Sequence, residues 1–225
     1  MLEGVIFDFD GVIVDSHPVH LQAWKAFLLS KGGAARDSDL SFVREGAKRE
    51  EILRRFLGDL TSEQVRLYGD EKDKLFQVRA NELKLVRGLS EFLSQIEASG
   101  LPSAVASSGS RRRVEQALEM FSLRGHFRAI VTGEDVARGK PDPALFLMAA
   151  RILQRAPNRL LVCEDAVAGV AAAKTAGMMC LAIAASGRGS LLKGAGADLV
   201  VEDFAQTSLD AVRQLFNRAQ LRTTI

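Results

Sequence analysis

Four short polar clusters carry the residue types of a reaction centre, and each adjoins an apolar run or a turn. Asp8 and Asp10 stand two residues apart after Val5-Ile6-Phe7 and are followed at once by Gly11. Ser107 and Ser108 follow Ala104-Val105-Ala106, Lys140 lies in Gly139-Lys140-Pro141-Asp142-Pro143, and Glu164-Asp165 follow Leu160-Leu161-Val162-Cys163. In an extended chain positions i and i+2 point to one side, so Asp8 and Asp10 are expected to leave a strand together. Two anions that close repel and lose hydration. A shared proton, a cation such as Mg2+, or a nearby Lys or Arg must compensate. Four carboxylates, a lysine and a hydroxyl suit a hard divalent cation with oxygen ligands, and a phosphate that needs a positive partner. The corresponding chemistry is phosphoryl transfer, in which metal and lysine cancel charge on the phosphate while a carboxylate attacks phosphorus. Each cluster alone has an ordinary reading: a helix cap for the serines, a surface lysine before a turn, favourable charges at a helix start for Glu164-Asp165. Their recurrence at successive strand ends favours chemistry.

The elements that would position these groups follow from the hydrophobic pattern. Val5-Ile6-Phe7 has no polar alternation and reads as a strand buried on both faces of a parallel sheet. From Ser16 to about Leu85 only helical spacing is visible. Val19, Ala23, Ala26, Phe27 and Leu28 form one such set, and Ile52, Leu53, Phe56 and Leu57 another. Thr61-Ser62-Glu63-Gln64 has the form of a capping box ahead of a third helix, which Gly69 threatens to interrupt. From Gly88 onward strands alternate with helices of 10–15 residues: strands at 103–106, 129–131, 160–163, 179–183 and 199–201, with helices between them. That alternation means βα units and a parallel sheet. The expected architecture is α/β, a Rossmann-like core (1–15 and 86–225) with a helical cap (16–85) inserted after the first strand. Open sheets of this kind place ligands at the carboxyl ends of their strands, where the four clusters fall. An insert at that edge can act as a lid.

The chain has 225 residues, 47% hydrophobic and 26% charged, with a net charge of +2, so neither a nucleic-acid footprint nor an acidic tail stands out. No apolar stretch approaches the roughly 20 residues needed to cross a bilayer. The N-terminus reaches an acidic strand end within eight residues, unlike a signal peptide. Cys163 and Cys180 both lie inside apolar runs and read as buried thiols of a reducing compartment. A cytoplasmic monomer that meets neither nucleic acid nor membrane is the expectation. Competing motifs fail: Gly139-Lys140 is followed by proline, Gly187-Arg188-Gly189 lacks a third glycine, and no G-x-S-x-G or H-E-x-x-H occurs.

With these residues in place the chain resembles the haloacid dehalogenase superfamily. The resemblance rests on Asp8-Phe9-Asp10-Gly11-Val12, Ser107, Lys140-Pro141 and Glu164-Asp165-Ala166-Val167-Ala168-Gly169, together with Ala172-Ala173-Lys174 and Ala176-Gly177-Met178. The insert is similar to a C1-type cap, and the β-phosphoglucomutase-like branch is resembled most, through Asp15-Ser16, His20, Trp24-Lys25, Gly46 and Arg49-Glu50. The resemblance implies that Asp8 is the nucleophile, forming an aspartyl-phosphate, and that Asp10 is the general acid and then the base. It implies Mg2+ held by Asp8, by the Asp10 backbone carbonyl and by Asp165, with Glu164 in support. Ser107 and Lys140 would hold the transferring phosphoryl group, Ser108 would stand beside them as a substrate contact, and His20 and Arg49 would touch the rest of the substrate.

Lys72 stands among Glu71, Asp73 and Lys74, a charged run that argues against a substrate role. Arg111-Arg112-Arg113 opposes the helix dipole at a helix start and reads as a solvent-exposed cluster. Trp24 reads as cap core. The implied activity is Mg2+-dependent hydrolysis of a small phosphorylated metabolite such as a sugar phosphate. The alternative is a β-phosphoglucomutase interconverting β-glucose 1-phosphate and glucose 6-phosphate. Glu45 places an anion beside Arg49 where the mutases tend to carry a lysine, which ranks the phosphatase first.

Overall fold

The computed structural model describes residues 1–33, 35–40, 49–184 and 187–223, with side chains to 218. Glu45 and Gly46 lie outside the described residues. In chain order the elements are β1 (Gly4–Phe7), β2 (Val14–Asp15), α1 (His17–Ser30), α2 (Arg49–Leu57), α3 (Ser62–Gln77), β3 (Lys84–Leu85), α4 (Leu89–Ala98), β4 (Ser103–Ser107), α5 (Arg111–Met120), β5 (Ala129–Thr132), α6 (Ala144–Leu153), β6 (Leu160–Glu164), α7 (Val167–Thr175), β7 (Met179–Ile183), α8 (Gly189–Gly194), β8 (Leu199–Val201) and α9 (Leu209–Thr223). The chain divides into two units, Met1–Val14 with Leu85–Ile225, and Asp15–Lys84.

The first unit is built on a parallel sheet in the order β5-β4-β1-β6-β7-β8. The Rossmann-like α/β reading therefore holds. Alternate residues of β1 serve opposite faces, as the strand period requires. Ile6 joins Ala104, Val162 and Cys180 in a cluster with Leu145, Phe146 and Ala149 of α6 and Val170 and Ala173 of α7. Phe7 faces the other way, its ring 6.3 Å from Phe92, 5.8 Å from Phe127 and 6.1 Å from Phe204. Each such buried ring contributes roughly 1.5–3 kcal/mol of transfer free energy, enough to fix the register of this central strand. Phe7 is level with Val105 on one side and Cys163 on the other, so β1 stops two residues short of the end of β4 and one short of the end of β6, and all three finish at one edge. Strand order reverses at β1, and the crevice at such a switch point is where open sheets bind ligands. Cys163 and Cys180 are buried free thiols, and burial pushes both pKa values up.

The second unit is helical. Trp24, Phe27 and Leu28 of α1 pack with Leu40 and with Ile52 and Leu53 of α2, and Tyr68 and Leu75 of α3 lean on that cluster. Trp24 is core, as its spacing implied. The capping box of α3 is formed: Thr61 Oγ1 accepts from the Gln64 N–H (3.2 Å), and the Thr61 N–H donates to Gln64 Oε1 (2.9 Å). Thr61→Ala should lower stability by about 1 kcal/mol, a melting shift of a few degrees readable by calorimetry. Gly69 does not interrupt α3. A methyl there would collide with the Arg49 side chain, which lies against the helix and pairs through Nη2 with Asp73 (2.5 Å). The strands β2 and β3, two residues each, form a separate two-stranded sheet that the hydrophobic pattern does not reveal. Among the described residues no helix is long and apolar enough to cross a membrane.

Candidate active site

Because β1, β4 and β6 finish within two residues of one another, the residues at and just past their ends are brought together. The Asp8 N–H donates to the Cys163 carbonyl (2.9 Å), which continues the sheet one residue beyond β1 and fixes the Asp8 backbone beside the end of β6. Lys140, on the turn ahead of α6, reaches into this edge. Its Nζ donates to Asp8 Oδ1 (2.6 Å) and to Glu164 Oε1 (2.5 Å). The other oxygen of Glu164 accepts from the N–H groups of Asp165 and Ala166, each at 2.7 Å. Those are backbone donors leading into α7, where the helix dipole also favours an anion. All four side chains are buried.

Ligand oxygens of Asp8, Glu164 and Asp165 lie within 4.8 Å of one another. Two of the three, Asp8 and Glu164, share the Lys140 ammonium, and the crowding of carboxylates is visible in Asp8. Burial pushes its pKa up; Lys140 pulls it down, and Glu164 and Asp10 push it up again, leaving it at about 7 against an ordinary 3.8. For Lys140, burial acts to lower the pKa, but the charges of Asp8 and Glu164 outweigh it and the net shift is upward, so the lysine stays charged. A buried all-oxygen donor set with excess negative charge fits a hard divalent cation. Asp8, Glu164 and Asp165 are the residues that could hold one.

Asp10 does not share this cluster of side chains. The strand ends at Phe7, so the two-residue period no longer governs position 10, and its carboxylate turns to Arg113. Nη1 of Arg113 donates to Asp10 Oδ1 (2.7 Å) and Nη2 to Oδ2 (2.6 Å). The expectation that Arg111, Arg112 and Arg113 are all solvent-exposed is corrected at Arg113, whose side chain is only 7% exposed. Arg112 is exposed, and Arg111 is half-buried with Asp135 and Glu115 as partners. Of the two serines, Ser107 is buried at the end of β4, its Oγ accepting from the Gly109 N–H (3.0 Å), and Ser108 is exposed.

A sequence profile of haloacid dehalogenase-like hydrolases matches residues 5–183, from inside β1 to the end of β7. The chain belongs to that family. This haloacid dehalogenase-like enzyme is 30% identical to the β-phosphoglucomutase of Bacillus subtilis, with 100% of both chains covered. It is 31% identical to hexitol phosphatase A of Escherichia coli over 80% of this chain and 82% of that protein. The crystal structure of CbbY from Rhodobacter sphaeroides in complex with phosphate matches with a TM-score of 0.82 at 26% identity, covering 94% of this chain and 99% of that one. The resemblance to the β-phosphoglucomutase-like, sugar-phosphate phosphatase branch therefore holds.

In the helical unit of this family member, His20 is half-buried and its Nδ1 lies 2.9 Å from Lys72 Nζ. Lys72 itself is buried, with its ammonium 5.4 Å from the Trp24 ring and 5.2 Å from the Phe76 ring. Its charged neighbours in sequence hid that burial. Arg49 pairs with Asp73, which also accepts from Lys72 Nζ (3.4 Å). Two arginines near the carboxylates were assigned no place in the site from the sequence. Arg113 is one. Arg188 is the other: its Nη1 is 3.9 Å from Asp165 Oδ2, and its Nη2 is buried without a hydrogen-bond partner among the described residues. For Arg113 a signal existed, since three arginines in the first turn of a helix oppose its dipole and need another reason to be there.

Proposed function

We propose that the protein is a Mg2+-dependent phosphomonoesterase acting on a small phosphorylated metabolite of the sugar-phosphate class, through an aspartyl-phosphate on Asp8. The observation that carries this is the buried Lys140 ammonium set between Asp8 and Glu164, with Asp165 alongside. Asp8 attacks phosphorus, the ester P–O bond breaks, and the leaving oxygen takes a proton from the Asp10 carboxyl group. Water then gives its proton to the Asp10 carboxylate and attacks phosphorus, releasing phosphate and restoring Asp8. Lys140 orients Asp8 and offsets phosphoryl charge, and Ser107 holds the same group from the end of β4. Ser108, His20 and Arg49 are proposed substrate contacts. Asp8, Glu164 and Asp165 would hold the ion, with the Asp10 carbonyl; the chemistry it supplies when bound is Lewis-acid neutralisation of phosphoryl charge.

Chelation by EDTA should abolish phosphate release from hexose phosphates, and Mg2+ should restore it. Undiminished turnover in EDTA would remove the ion from the proposal. The full-length likeness to a β-phosphoglucomutase favours a second reading, in which a sugar hydroxyl replaces water as acceptor. Incubation with β-glucose 1-phosphate and a trace of the 1,6-bisphosphate separates the two. The phosphatase releases inorganic phosphate; fast conversion to glucose 6-phosphate with little free phosphate would make the mutase correct.

A further inference from the structure

Arg113 takes no part in the proposed reaction steps, yet its placement is expensive. It sits in the first turn of α5, where a positive charge meets the positive end of the helix dipole. Its side chain is almost fully buried, and its guanidinium lies 5.7 Å from the centroid of the fully buried Phe9 ring. The loop before α5 is shaped around it. A methyl at Gly109 would collide with Arg113 Nη2 and Cζ, so the guanidinium lies close against the turn that follows Ser107. From there both terminal nitrogens engage both oxygens of Asp10, a residue 103 positions away in sequence.

We propose that Arg113 is the positioning residue for Asp10: its two-point grip, made possible by Gly109, sets the carboxylate in the orientation from which it exchanges protons with the leaving group and with water. A carboxylate on a two-bond side chain has rotamers to choose among, and it stands after the strand has ended, where the sheet no longer fixes its direction. A planar fork with two parallel hydrogen bonds fixes both the position of the carboxylate and the plane in which its oxygens lie. Ser107 and Arg113 flank one short turn, residues 108–110, so the group proposed to hold phosphoryl and the group that orients the proton carrier are set by the same stretch of backbone. Lysine could supply charge at 113 but not that fork.

This rests on the reading of Asp10 as proton carrier, and the test separates the two claims. kcat/KM is measured on a hexose phosphate, whose alkoxide must be protonated to leave, and on 4-nitrophenyl phosphate, whose phenolate needs no proton. Asp10→Asn should lose far more on the alkyl ester than on the aryl ester; equal losses would overturn Asp10 as the acid. Arg113→Met should show the same bias with a smaller loss, about 10²-fold on the alkyl ester, the scale of a misplacement near 1 Å. Arg113→Lys and Gly109→Ala should fall between that variant and the parent. In an Asp10→Asn background, Arg113→Met should add nothing, because both act through one carboxylate. Equal losses on the two esters in Arg113→Met, or additive losses in the double variant, would reduce Arg113 to a structural ion pair. A raised kcat in any of the three would mean that the grip restrains Asp10 instead of placing it. Should Arg113→Met fail to fold, Arg113→Lys and Gly109→Ala carry the same comparison.

Discussion

The Asp8→Asn protein should lose phosphate release from every phosphomonoester, by on the order of 10⁵-fold or more, while folding at least as well as its parent. The first half follows from chemistry. An amide cannot form the acyl phosphate, and removing a nucleophile removes the whole covalent route, not one contribution to it. The second half follows from the electrostatics of the cluster. Burial raises the pKa of Asp8 to about 7 from an ordinary 3.8 despite the opposing pull of Lys140, and the charges of Glu164 and Asp10 add to the rise. An acid that holds its proton more tightly in the folded chain than in the unfolded one loses stability as pH rises between those two values. At and above neutral pH its ionised form therefore weighs against the fold. An isosteric amide removes that burden, and Lys140 keeps Glu164 as a partner at 2.5 Å. Melting curves in EDTA at pH 5 and pH 8 check it: the variant should gain on the parent at the higher pH. Retained turnover would remove Asp8 from its role. A variant destabilised at pH 8 would mean that the Lys140–Asp8 pair is a net support to the fold.

Much of this centre was legible because its parts sit where one kind of pattern ends and another begins. Val5-Ile6-Phe7, Ala104-Val105-Ala106 and Leu160-Leu161-Val162-Cys163 announce buried parallel strands. Parallel strands bring their carboxyl ends to one edge, so Asp8, Ser107 and Glu164 could be assembled before any distance was known. What stayed hidden depends on direction and on partners far apart in the chain. The two-residue period that sets Asp8 and Asp10 on one side applies only while the chain is extended, and β1 stops at Phe7. Arg113 is one of three adjacent arginines, and nothing local separates the buried one from its exposed neighbour Arg112; that choice is made by Asp10 and by the space left at Gly109. Lys72 was hidden in the same way, since charged neighbours on either side suggest a solvated face, while its own side chain turns towards His20, Asp73 and two aromatic rings. Gly69 looked like a break and is instead the gap through which Arg49 reaches Asp73. In each case the missing information was the identity of a group contributed by another element.

Gly169→Ala tests the same principle where its consequence is largest. A glycine inside a helix ordinarily costs up to about 1 kcal/mol relative to alanine, so propensity alone predicts that the substitution in α7 stabilises the protein. Here the sign should reverse. A methyl at 169 would fall on the carboxylate of Glu164, a side chain with no room to withdraw: it is fully buried, held by Lys140 on one oxygen and by two backbone N–H groups on the other. Displacing it leaves the Lys140 ammonium without one of its two close carboxylates and leaves buried donors unmatched, a loss of roughly 3–5 kcal/mol on the scale of broken buried pairs. For a chain of this size that is on the order of 10 °C in melting temperature. Metal affinity should fall with it by roughly 10- to 100-fold, since Glu164 both belongs to the carboxylate cluster and anchors the lysine beside it. Gly194→Ala is the internal control. That glycine closes α8 with nothing within 4 Å of the added methyl and no positive φ, so the substitution should be neutral or mildly stabilising. If both variants melt at or above the parent, Glu164 can move aside freely, and the tight placement of the cluster would no longer explain why a glycine stands at 169.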